Sequence, residues 1–171
     1  MKYEIGDFVS KPVTGICKIE DVLSMDPMGG KNTKLYYLMK PVEDEKEKIY
    51  MAVSNADEKM RSCLTEEEAW DLIGRIPEIS REWKANERMR EQEYKEAVKS
   101  NDPEVFVGII KMIYERRKKR VAQGKCTATD AKYFQMAENL LYMELGTALG
   151  KPKQEVCETI IAYIDKNKQE A

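Results

Sequence analysis

Lys111 to Lys125 reads KMIYERRKKRVAQGK, seven cations against the single acid Glu115, a local charge of 7 − 1 = +6 in a chain whose net charge is −2. Cations near a helix C-terminus complement its dipole, so a solvated helix end accounts for part of the run. A helix that only needed a wet face would intersperse the signs. Five consecutive cations, Arg116 to Arg120, instead have the composition of a patch that faces phosphate. Composition leaves both readings open. Tryptophan is the second type with something to offer. Trp83 lies in ISREWKANERMR, and on a helix its neighbours three and four positions away are Ile79, Ser80, Asn86 and Glu87, almost no apolar stripe at all. Its indole either packs on a neighbouring helix, near Trp70 or Ile73, or is offered to a partner, protein or an unstacked base step.

Other reactive types are sparse. The sequence contains no histidine, which removes the commonest general base and the commonest zinc ligand. Glu43-Asp44-Glu45 falls in a turn, and Glu66-Glu67-Glu68 in a first helical turn where acids meet the helix dipole, so both read as structural. Cys17, Cys63, Cys126 and Cys157 are widely separated and form no CxxC pair, the pattern of reduced structural thiols. No GxSxG, GxxxxGK[ST] or GxGxxG motif occurs. No catalytic set, metal site or cofactor is therefore expected, and the chain reads as a non-enzyme. The opening MKYEIGDFVS lacks an apolar signal core and no apolar run approaches membrane-spanning length, so a cytoplasmic protein without membrane attachment is expected.

The elements that position these residues change character near Leu64. Before it, GDFVSK, VTGICKIEDVL, KLYYLMKPV and EKIYMAV alternate with turn-forming segments. Val13, Ile16 and Ile19, with Tyr36, Leu38, Ile49, Met51 and Val53, pattern a small, strongly bent antiparallel sheet. Gly15 inside that pattern predicts a bulge or tight bend. After it, Thr65 to Glu68 is a capping box, Pro77 ends the helix it opens, and a charged helix is predicted over 80–99. Asp102-Pro103 starts a helix ending near Gly124, Thr127 or Thr129 caps the next, Gly150 stops it, and Pro152 begins the last. The expected class is α+β: an SH3- or Tudor-like antiparallel β-barrel over 1–63, then an all-α bundle of about five helices over 64–171.

In this order the motifs resemble those of the CarD-like bacterial transcription regulators, whose N-terminal module is shared with the RNA-polymerase-interacting domain of transcription-repair coupling factor. The resemblance is carried by Gly6-Asp7-x-Val9, Pro12-x-x-Gly15-Ile16 with Ile19, Tyr36-Tyr37-Leu38, Ile49-Tyr50-Met51 leading into Asn55-Ala56, and Arg61. It continues through Tyr94-Lys95-Glu96, Lys99-Ser100-Asn101-Asp102, Leu140-Leu141, Glu144-Leu145 and Ala148-Leu149-Gly150. It covers nearly the whole chain.

The resemblance implies a Tudor-like module that docks on the polymerase β subunit by edge-strand addition, which falls on Ile49, Tyr50, Met51, Ala52 and Val53. It implies a helical module that meets promoter DNA at the upstream edge of the bubble. There a tryptophan wedge and backbone-holding cations change the open-complex lifetime without reading sequence. The DNA-contacting candidates are Trp83, Arg116, Arg117, Lys119, Arg120, Lys125 and Lys132. Members often carry Pro where this chain has Ala52, a basic residue at Tyr50 and a lysine at Ala131, and some place the wedge at Glu87, one helical turn after Trp83. A monomer is expected. The rival from another class is a protein–protein adaptor whose basic helix binds an acidic partner and never touches DNA.

Overall fold

The computed structural model describes residues 1–82, 86–122 and 127–170, the side chains of 120–122 and 170 lying outside that description. The chain divides into two units, Met1–Cys63 and Leu64–Ala171. In the first, alternating apolar residues build strands β1 (Phe8–Lys11), β2 (Gly15–Met25), β3 (Lys34–Pro41), β4 (Ile49–Ala52) and β5 (Arg61–Ser62), with helix α1 (Val53–Lys59) between the last two. They form one antiparallel sheet in the order β4-β3-β2-β1-β5. The sheet is open, with β4 and β5 as its two edges. Gly15 is not the bulge: its φ of 91° serves the tight β1–β2 turn, and the register slips instead between Ile19 and Asp21.

Phasing differs from expectation in β3. Tyr37 and Met39 face the core, opposite Met51 and Ile49, whereas Tyr36 and Leu38 share the other face with Ala52 and Tyr50. Tyr3, Val9, Cys17, Ile19, Ala56 and Met60 complete the core of this unit.

The second unit holds helices α2 (Glu66–Arg75), α3 (Glu87–Lys99), α4 (Pro103–Ala122), α5 (Ala128–Leu149) and α6 (Lys153–Glu170), with a 3-10 turn over Ile76–Glu78. Its core joins Leu72 and Ile73 of α2 and Tyr94, Ala97 and Val98 of α3 to Phe106, Ile109 and Ile113 of α4. Ala137, Leu141 and Leu145 of α5 and Val156 of α6 close it. Local rules set the ends. Thr65 and Glu68 form a reciprocal capping box, Asp102 accepts from the Glu104 N–H, Thr127 accepts from the Asp130 N–H, and Gly150 ends α5 in the left-handed region. Gly146 is required by space, since a Cβ there would lie 2.8 Å from the Lys151 carbonyl oxygen.

The helix expected over 80–99 begins at Glu87. Asn86, in extended backbone, accepts from the Arg88 and Met89 N–H groups and so fixes the start, and Ile79 to Glu82 lie outside any helix. Because the Thr65 hydroxyl and the Glu68 carboxylate satisfy two otherwise orphaned N–H groups, Thr65→Ala should cost about 1 kcal/mol in urea unfolding. A loss below a few tenths would mean that water replaces the cap at no cost.

Candidate interaction surfaces

In the first unit the surface of interest is the β4 edge. Ile49 and Met51 point inward and tie the strand to the core, which turns Tyr50 outward at 46% exposure. Tyr50 stands opposite Leu38, and Ala52 opposite Tyr36. β4 pairs only with β3 among the described residues, and its sequence, IYMA, contains no proline, charge or bulge, three of the devices that shield a sheet edge. The opposite edge, β5, is only two residues long. Val53 does not belong to the strand: it is the first residue of α1, because the chain turns directly into helix at Ala52.

In the second unit the basic run of α4 divides by helical face. Arg116 follows Ile109 and Ile113 on the buried side and is only 5% exposed. Its Nε donates to Asp130 Oδ2 at 2.8 Å, and the Tyr94 hydroxyl donates to Asp130 Oδ1 at 2.9 Å. One carboxylate thus ties α3, α4 and α5 together. Burial pushes the Asp130 carboxyl up, but hydrogen bonds from Arg116, Thr127 and Tyr94 outweigh it and hold the group below the usual carboxylate range. That is the opposite of what a general acid needs. Burial first, then the bond to Asp130, raises the Tyr94 phenol. Arg116 is therefore removed from the phosphate-facing set: its charge is spent inside the bundle.

The other cations are distributed as follows. Arg117 is half-buried, its guanidinium 5.2 Å from the centre of the Phe134 ring of α5. Lys118 and Lys119 are exposed, and the Lys118 ammonium lies 4.8 Å over the ring of Tyr114, itself exposed. Lys132 is exposed on α5, its ammonium 5.3 Å from the ring of Tyr133. Trp83 and Lys125 lie outside the described residues, as does the side chain of Arg120. Lys111, counted in the +6 of the run, is half-buried and donates to main-chain carbonyls beyond α2. Lys118, which is not among the DNA-contacting candidates named above, is one of the cations that face outward.

Cys17 is buried, and burial pushes its thiol up to about 11, an inert structural thiol. Among the described residues no group of His, Cys, Asp and Glu could hold a metal ion, and no helix is long and apolar enough to cross a membrane. A cleft of about 210 Å³ is lined by Glu87, Arg88, Arg90, Glu91, Tyr94 and Asp130 among others, acids and cations that offset one another. Glu144, 1% exposed, accepts from the Leu64 N–H at 2.9 Å. Its signal in the sequence was a lone acid inside the apolar stretch LLYMELG. Compared with protein-family models and with the curated proteins, the sequence matches none.

Proposed function

We propose that this chain is a non-enzymatic transcription regulator of the CarD-like kind. Its first unit docks on the β subunit of RNA polymerase by adding β4 to a polymerase strand. Its second unit touches promoter DNA at the upstream edge of the bubble, without reading sequence, and lengthens the life of the open complex. The observation that supports this reading is the β4 edge, free of proline, charge and bulge, with Tyr50 turned out beside it. The outward N–H and C=O groups of an edge strand complement the backbone of one further strand. The open sheet is read as a Tudor-like variant, and the cytoplasm as the compartment in which the polymerase is met.

Outward-facing Lys118, Lys119 and Lys132 support the DNA arm, as a sequence-independent backbone contact requires cations and no base-reading geometry. The adaptor reading keeps some weight from one observation: Arg116 is taken up internally, so fewer cations face outward than the sequence count suggests.

Amide hydrogen exchange on the chain with and without polymerase core tests the docking arm. Strand addition predicts slower exchange of the Ile49–Ala52 amides by about tenfold or more, since new ladder bonds must open before exchange. Measurable binding with β4 exchange unchanged would reject strand addition. Promoter footprinting separates the two readings of the helical unit: the adaptor leaves open-complex lifetime and upstream protection as they were.

A further inference from the structure

Of the two aromatic residues of α4, Phe106 is buried and Tyr114 is 52% exposed. Tyr114 stands among cations. Lys118 lies about one turn on, its ammonium 4.8 Å from the centre of the Tyr114 ring. Arg117, the other neighbour on that side of the helix, is held with its guanidinium 5.2 Å from the centre of the Phe134 ring, which packs on the core of the unit from α5. Glu115, the single acid of the run, projects about 100° away round the helix. An exposed ring and two cations therefore share one strip.

Holding phosphate requires only the cations; the ring adds a flat apolar face that phosphate cannot use. An unpaired base can use it. Stacking on an aromatic side chain tolerates any sequence, because every base has a π-face, and it outweighs an exposed contact between an ammonium and a ring. A base that settles on Tyr114 displaces the Lys118 ammonium, whose flexible stem keeps it within reach of a phosphate of the same strand. A duplex keeps its bases stacked on one another and offers phosphates and groove edges instead.

We infer that Tyr114, with Arg117 and Lys118, forms a site for single-stranded DNA, in which the phenol ring stacks on an unpaired base and the two cations hold the backbone. The inference deepens the reading that the helical unit touches DNA at the edge of the bubble, where unpaired bases occur, and it rests on that reading.

Fluorescence anisotropy tests it, with the full chain and a labelled oligonucleotide presented as a single strand and as a duplex of the same sequence, each over a range of salt. Tyr114→Ala should weaken single-strand binding by about tenfold, within the range of one base–aromatic stack, at an unchanged salt slope, and should change duplex affinity by less than about twofold. Tyr114→Phe keeps the ring and should bind as the unsubstituted chain does. Lys118→Met should instead lower the single-strand slope by about 0.7, the contribution of one phosphate. Both side chains are exposed, so the fold should survive each change, which urea unfolding checks. Unchanged single-strand affinity in Tyr114→Ala, equal losses on single strand and duplex, or a loss in Tyr114→Phe as large as in Tyr114→Ala overturns the inference while the DNA reading stands. Binding of neither form by the unsubstituted chain at low salt takes down the DNA reading, and the inference with it. Polyglutamate bound as tightly as the single strand, with the same loss in Tyr114→Ala, would assign the strip to an acidic protein partner and overturn the inference as well.

Discussion

Asp130→Asn should destabilise the protein by about 3–5 kcal/mol, because it removes the charge that faces the buried Arg116 Nε and weakens a buried ion pair. Asp130 is 2% exposed and Arg116 5%, so water can replace little of what the carboxylate supplies. The loss should also carry a pH signature. The folded-state carboxyl is held below its ordinary value, so its contribution is complete above the unfolded carboxylate pKa and is lost as pH falls through the lowered value. Urea unfolding of the two proteins at neutral pH and in acid measures this directly: the difference should be large at neutral pH and shrink on acidification. A difference below about 1 kcal/mol at neutral pH would mean that the tie between α3, α4 and α5 is replaceable, as exposed ion pairs are.

How far the sequence reveals this arrangement depends on the range of the interaction. Capping residues act within four positions, so Thr65 with Glu68, Asp102-Pro103, Thr127 and Gly150 mark helix ends correctly. The start of α3 is also local, since Asn86 followed by Glu87 is a cap pattern, but SREWKANE is charged and continuous enough to extend the helix on propensity alone. Ile79 to Glu82 lie outside the helix, which starts at Glu87, and Trp83 itself lies outside the described residues. In β3, LYYLM offers apolar residues on both faces, so alternation cannot phase the strand. Pairing with Met51 and Ile49 decides it.

Arg116 was within reach. Ile109, Ile113 and Arg116 fall on one helical stripe, and a cation on the core side of an amphipathic helix needs a buried partner. What no local pattern supplies is that partner: Asp130 lies 14 residues on, Tyr94 further still, and the three carbonyls held by Lys111 are more than 30 positions away. Long-range polar ties of this kind are set by packing rather than by periodicity.

The division of the basic run leads to the second large effect. Lys118→Glu, Lys119→Glu and Lys132→Glu together should leave the fold intact, since all three side chains are exposed, and should nearly abolish non-specific duplex binding at low salt. Each phosphate contact contributes about 0.9 to the slope of log K against log salt, so at 50 mM salt each lost contact weakens binding by roughly tenfold. Three would lower the slope by about three units and affinity by roughly a thousandfold, before any repulsion from the new acids is counted. Arg116→Glu forms the contrast. It places an acid against Asp130 in the buried tie, and should melt the helical unit rather than change the slope. A folded Arg116→Glu protein with a slope lower by one unit would return Arg116 to the DNA surface. A triple variant with unchanged slope would instead assign the exposed lysines to an acidic protein partner.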